Sequence, residues 1–195
     1  MSQDAAKMVL QKRPGKKSTR LPIAPKRRLK SSWIDLEIAA YLFDWGDTLM
    51  KDDKRYAGPM HAWPEVAAVD VALETLQALS SRARCCLATN AGDSSEKDIW
   101  RALARVGLDQ YIDIVFCYQT LGTAKPARAF FDIIRKKLKL PPEAIAMVGD
   151  SYATDIKGAL QAGLRAFWYN PHTHELRNDH GVMTIHTLRE LILLR

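Results

Sequence analysis

Four short stretches of the chain carry the residue types that move a phosphoryl group through an aspartate. In chain order they are Phe43-Asp44-Trp45-Gly46-Asp47-Thr48-Leu49, Leu87-Ala88-Thr89-Asn90, Lys125-Pro126, and Val148-Gly149-Asp150-Ser151 followed by Asp155. A carboxylate such as Asp44 can attack phosphorus and form an acyl phosphate, which water then hydrolyses. That attack brings two anions together, so the chemistry calls for a divalent cation. Mg2+ takes oxygen ligands, keeps several waters and is held by one or two carboxylates plus a phosphate oxygen. Asp44 and Asp150 could supply the carboxylates, and the backbone carbonyl of Gly46 a further oxygen. Lys125 can neutralise the transferring group and hold the nucleophile. Thr89 and the Asn90 backbone N–H can donate to phosphoryl oxygens. Asp155 could bind a metal-held water or orient Lys125.

These side chains meet only if the fold gathers them. Residues 38–44 form an apolar run that ends in a carboxylate, the pattern of a buried strand. Asp70 is placed as an N-cap for a helix whose apolar face is Val71, Leu73, Leu76 and Leu79. Arg84–Thr89 reads as a second strand, and Asp93 with Glu96 as a capping arrangement opening a helix to about Val106. Ile112–Tyr118 is a third strand, and Pro126 suits the first turn of a helix to about Leu138. Ala144–Val148, a helix over Thr154–Ala162 closed by Gly163, and the strand Arg165–Tyr169 follow. A strand near Met183–Ile185 and a helix from Leu188 complete the alternation. Strands alternating with helices predict an α/β fold: a three-layer Rossmann-like parallel sheet with helices on both faces. Such sheets collect ligands at the carboxyl ends of their strands, where Asp44, Thr89 and Asp150 all fall.

Of the 195 residues, 47% are hydrophobic and 26% charged, ordinary for a globular chain. No apolar run reaches the roughly 18 residues of a membrane span. Cys85, Cys86 and Cys117 are odd in number and lie in apolar segments, so they read as buried thiols in a reducing, cytoplasmic setting. Charge is unevenly spread. Residues 1–33 hold ten Lys and Arg against Asp4 alone; that is +9 where the whole chain is +7, so the remainder carries −2. This segment lacks apolar periodicity and contains Pro14, Pro22 and Pro25. It reads as a disordered basic N-terminal arm, with the folded domain at 34–195. Its composition also suits an organelle-targeting peptide or an arm for an anionic partner such as RNA.

The four stretches resemble the motifs of the haloacid dehalogenase (HAD) superfamily, whose members are mostly Mg2+-dependent phosphatases with an aspartate nucleophile. The resemblance covers about residues 38–190. The family's Asp-x-Asp-x-Thr falls on Asp44, Gly46 and Thr48; its Ser/Thr on Thr89; its Lys on Lys125; its Gly-Asp and following Asp on Gly149, Asp150 and Asp155. It implies Mg2+, a phosphorylated substrate and a HAD-type fold. Only about 40 residues separate Asp44 from Thr89, room for a short flap (roughly Met50–Trp63) but not for a full cap domain. That suits an open site for a large substrate, or for a small one enclosed by a partner subunit.

One position departs. The family's second aspartate, which protonates the leaving group and then activates water, is Gly46 here. General acid–base help is worth on the order of 10²–10⁴ in rate, so its loss implies a slow enzyme unless another group substitutes. Asp47 is the adjacent candidate, able to swing inward if Gly46 adopts an unusual backbone angle. The departure also raises two other readings: a metal-independent dehalogenase-type hydrolase that attacks carbon, and a catalytically weak binding protein. Gly149-Asp150 favours the metal and hence phosphate. His172, His174 and His180 match no strong metal-ligand spacing and read as solvated loop residues. Leu188, Leu191, Ile192 and Leu194 form a core-facing stripe or a contact with a second copy.

Overall fold

The apolar runs become six strands: β1 (Ala40–Phe43), β2 (Arg84–Thr89), β3 (Ile114–Cys117), β4 (Ile145–Gly149), β5 (Arg165–Tyr169) and β6 (Val182–Ile185). The computed structural model describes residues 37–178 and 180–194, and the expected basic arm over 1–33 lies outside them. The strands pair in the order β3-β2-β1-β4-β5-β6, all parallel. Helices α1 (Ala72–Ser80), α2 (Glu96–Arg105), α3 (Tyr118–Leu121), α4 (Arg128–Leu138), α5 (Lys157–Gln161) and α6 (Glu190–Leu193) fill the connections.

Both faces of the sheet are covered, which is why its strands are apolar throughout rather than alternating with polar residues. Tyr41, Phe43, Leu87 and Val148 point into one core with Leu76, Leu79, Ile99 and Leu103 of α1 and α2. Their neighbours Leu42, Ala88 and Met147 point the other way, onto Phe130, Phe131 and Ile134 of α4 and Ala159 of α5. Leu188 and Leu191 are fully buried in the first core and Leu194 packs against it, so these three residues of the C-terminal stripe face the core. Cys85, Cys86 and Cys117 are free and buried, and burial pushes the Cys85 and Cys86 thiols up to about 12.

The strand order decides where the site must be. From β1 the chain winds outward through β2 and β3, then returns to place β4, β5 and β6 on the other side of β1. The reversal leaves a crevice beyond the carboxyl ends of β1 and β4, the usual ligand position in such sheets. Asp44 directly follows β1 and Asp150 directly follows β4.

Several boundaries differ from the sequence reading, each for a local reason. Asp70 does not cap α1; the cap position is Val71, in the left-handed region at φ 59°, with no side-chain hydrogen bond. The capping box of α2 is Ser95 with Asp98, not Asp93 with Glu96: Ser95 Oγ accepts the Asp98 N–H, and the Asp98 carboxylate accepts the Ser95 N–H. Pro126 precedes α4 rather than occupying its first turn, since the helix begins at Arg128. The third strand is shorter than expected, because Tyr118 already starts α3. The expected helix over 154–162 opens as a π-turn, Tyr152–Ile156, before α5.

Between β1 and β2 the chain holds loops, a 3-10 turn at Met60–Ala62 and α1, and no inserted cap domain. The short flap is tied down. Met50 bridges to Gly46 and to Ala68. Arg105 on α2 donates to the carbonyls of His61 (3.1 Å), Trp63 (2.5 Å) and Pro64 (3.0 Å).

Gly158 on α5 connects this packing to the site. A Cβ there would lie 2.8 Å from Phe131 Cε2 and 2.8 Å from Pro126 Cα, on the segment that carries Lys125. Alanine gains about 1 kcal/mol over glycine in a helix, whereas overpacking a tight core costs about 1–3 kcal/mol. The second effect dominates against backbone that cannot rotate away. Gly158→Ala is therefore expected to lower the urea midpoint; an unchanged or raised midpoint would mean that this contact is slack.

Candidate active site

Lys125 is the centre of the site. Its side chain is buried, with Nζ 2.5 Å from Asp44 Oδ1 and 2.7 Å from Asp155 Oδ1. Burial alone would pull the ammonium's pKa down. The two carboxylates outweigh it, Asp44 first, so the pKa is raised and the group stays charged. Asp155, almost wholly buried, is pushed above the usual carboxylate range by desolvation, against the pull of Lys125.

Each member is held by backbone geometry from a different strand end. Asp44 hangs from the end of β1, its N–H bonded to the Val148 carbonyl of β4 at 2.9 Å. Lys125 is fixed by Asn90 after β2: the Asn90 amide donates to the Lys125 carbonyl at 2.9 Å and accepts the Lys125 N–H at 2.8 Å. Asp155 sits in the π-turn, an irregularity frequent at functional sites. Its Oδ2 accepts the Ser151 N–H at 3.1 Å. Its carboxylate also packs flat against the Gly149 backbone, where a Cβ would fall 2.5 Å from Asp155 Cγ. Only glycine admits that approach. Asp150 is steadied by Thr48, whose hydroxyl accepts the Asp150 N–H at 3.1 Å and donates to Oδ1 at 3.4 Å.

Asp44, Asp150 and Asp155 present carboxylate oxygens within 4.8 Å of one another. One ammonium, paired with Asp44 and Asp155, serves a cluster of three carboxylates. The Asp150 carboxyl is accordingly held above its ordinary range, by burial and then by the negative charge of Asp44. A divalent cation among these oxygens would relieve that excess. The donor set has only hard oxygen atoms and no sulfur or imidazole, which suits Mg2+ better than zinc or copper.

The other residues singled out from the sequence line the same cavity, which has a volume of about 420 Å³. Thr89 is buried at the end of β2, its hydroxyl accepting the Ala91 N–H at 3.1 Å. Gly46 does not use an unusual backbone angle; Asp47 does, at φ 54°. The Asp47 carboxylate accepts the Asp52 N–H at 2.9 Å and so is joined to the start of the flap. Trp45 is buried and donates through its ring N–H to Met50 Sδ at 3.2 Å. His172, His174 and His180 are exposed and lie outside the acidic cluster.

Three features were not singled out beforehand. The Asn90 side chain, rather than only its backbone, clamps Lys125, and nothing local signals a partner so distant in sequence. Thr48 anchors Asp150 as well as completing the first motif. Asp52 enters the cavity from the flap; its signal is an acid a few residues beyond a motif that lacks one.

Residues 65–163 match the family described as haloacid dehalogenase-like hydrolase. Among curated proteins, the chain is 31% identical over 126 residues to pyrimidine 5′-nucleotidase YjjG of Escherichia coli (strain K12), covering 62% of this chain and 55% of that protein. It is 27% identical over 160 residues to ribulose-1,5-bisphosphate 5-phosphatase of Halopiger xanaduensis, covering 75% of this chain and 64% of that protein. The chain thus spans between about half and two thirds of the length of these relatives. An uncharacterized protein from Listeria monocytogenes serotype 4b has a similar structure, with a TM-score of 0.70 and 25% identity over 80% of this chain and 96% of that one.

Removing the ammonium leaves two carboxylates facing each other without compensation. Breaking a buried pair in this way costs about 3–5 kcal/mol. Lys125→Met, which keeps most of the volume, is expected to lose that much in urea unfolding without added metal; a loss under about 1 kcal/mol, the range of an exposed pair, would contradict the burial described.

Proposed function

We propose that this chain, which belongs to the haloacid dehalogenase-like hydrolases, hydrolyses phosphate monoesters with Mg2+ through a phosphoryl group carried on Asp44. The observation that carries the reading is the Lys125 ammonium at 2.5 Å from Asp44 Oδ1, with Asp150 alongside. The relatives with curated names in pyrimidine nucleotide and ribulose bisphosphate dephosphorylation support phosphate as the substrate group.

The chain's own residues divide the work. With Oδ1 engaged by Lys125, Asp44 Oδ2 is the oxygen that attacks phosphorus. Lys125 offsets the negative charge that gathers on the phosphoryl oxygens, and Asn90 keeps it in register by holding its backbone. Thr89 and the Asn90 N–H receive the equatorial oxygens. Asp44, Asp150 and the Gly46 carbonyl would hold Mg2+, with Asp155 bound to it through water; the ion supplies charge neutralisation between nucleophile and phosphate. A cavity of about 420 Å³ is in the size range of small-molecule sites. With no large cap over it, a bulky phosphorylated substrate or a partner subunit completes the enclosure.

The carbon-attacking alternative is less well supported. Asp150 set against Asp44 adds repulsion that attack on carbon gives no reason to tolerate, and that a cation relieves.

The experiment pairs p-nitrophenyl phosphate with a 2-haloacid, each with Mg2+ and with EDTA. Phosphate release that needs Mg2+ and disappears in Asp44→Asn is expected. Halide release that persists in EDTA would replace this reading, and phosphate release unaffected in Asp44→Asn would end it. Metal binding has its own readout. Saturation at a hundredfold excess over Kd stabilises a protein by about 2.7 kcal/mol, so MgCl2 should raise the Tm by several degrees. Asp150→Ala should remove most of that rise; an equal rise in both proteins would place the ion elsewhere.

A further inference from the structure

A carboxylate lies beside the position of the missing one. A Cβ built on Gly46 would lie 3.3 Å from Asp52 Cβ and 3.7 Å from Asp52 Oδ2. Any side chain at position 46 would thus compete with Asp52 for the same corner of the cavity. We propose that Asp52, reaching in from the flap, is the acid–base residue of this enzyme, with Gly46 small in order to admit it. This inference rests on the phosphatase reading above.

The placement is organised. The loop that carries Asp52 is pinned on both sides, by the Met50 bridges to Gly46 and Ala68 and by the Lys51 N–H on the Ala67 carbonyl at 2.9 Å. Asp47, in its left-handed conformation, accepts the Asp52 N–H at 2.9 Å. Asp47 is thus a positioning residue: its carboxylate fixes the backbone from which Asp52 projects. The Asp52 side chain is 35% exposed and lines the cavity that holds Asp44. Lys54, which also lines the cavity, pairs with Asp52 Oδ2. Its side chain is 80% exposed, and exposed pairs of this kind hold their partners only weakly, so the carboxyl remains available to a substrate.

The two steps balance with one proton cycling on Asp52. In the first, Asp44 forms a bond to phosphorus, the bond from phosphorus to the ester oxygen breaks, and Asp52 gives its proton to the departing alkoxide, which leaves as an alcohol. In the second, water attacks phosphorus, Asp52 takes a proton from that water, and the bond to Asp44 breaks. Inorganic phosphate leaves, and Asp52 is protonated again.

Leaving-group dependence tests the assignment. Propyl phosphate needs a proton on its departing oxygen; p-nitrophenyl phosphate does not. kcat/KM reports the first irreversible step, which is the transfer to Asp44, and so separates the two esters. In Asp52→Asn, kcat/KM is expected to fall on the order of 10²–10⁴-fold for propyl phosphate and less than about tenfold for p-nitrophenyl phosphate. The p-nitrophenyl phosphate arm also reports that the variant is folded. Moving the carboxylate back, with Gly46→Asp in an Asp52→Gly background that also removes the 3.3 Å contact with Asp52 Cβ, should restore propyl phosphate turnover relative to Asp52→Gly alone. Equal losses on both esters, no recovery in the double variant, or a leaving-group-dependent loss in Asp47→Asn in place of Asp52→Asn would each overturn the proposal. A wild type that hydrolyses neither ester would remove the phosphatase reading and this inference with it, whereas an active wild type with an unaltered Asp52→Asn removes this inference alone.

Discussion

One buried ammonium between two carboxylates sets the geometry at the carboxyl end of the sheet. Lys125 reaches Asp44 on β1 and Asp155 after β4, joining segments that come from separate parts of the chain. An ion pair so deeply buried is a poor source of net stability, because desolvation offsets most of the attraction. Its value lies in position. The carboxylates can occupy the same crevice only with the ammonium between them, and the ammonium can be buried only with both present. The surrounding packing serves that arrangement. Gly149 lets Asp155 lie against the strand, Gly158 lets α5 close on Pro126, and Asn90 grips the Lys125 backbone.

The charge balance is deliberately incomplete. Three carboxylates cluster beside one ammonium that pairs with only two of them, and the Asp150 carboxyl is held above its ordinary range by burial first and then by the charge of Asp44. Hydrogen bonds alone do not remove the imbalance: Thr48 holds Asp150 in place but adds no charge. Under the proposed function, a divalent cation and a phosphoryl group would each offset the charge that the other brings, a physical reason for the chain to keep Asp150 beside Asp44.

The features read correctly from sequence are those that a strand end dictates. Asp44, Thr89 and Asp150 follow apolar runs, and in a parallel sheet such positions converge. The strand pattern likewise implied helices on both faces. The features that escaped depend on contacts across the fold. Ser95 outcompetes Asp93 as the α2 cap because its hydroxyl and Asp98 satisfy each other, a choice between neighbouring polar residues that spacing does not resolve. Val71 adopts a left-handed conformation that no β-branched residue prefers. The Asn90 clamp on Lys125 and the approach of Asp52 to Gly46 both join loops from different connections. The absent acid at position 46 was visible as a gap; what stands in the gap required the fold.

A crystal structure of the protein grown with Mg2+ and beryllium fluoride would test the central claim most directly, since the fluoride mimics a phosphoryl group on a carboxylate. The account predicts the fluoride bonded to Asp44 Oδ2, Mg2+ between Asp44 and Asp150, and the Lys125 ammonium still bridging Asp44 and Asp155. Fluoride bound away from Asp44, or Lys125 turned out of the cavity, would contradict it.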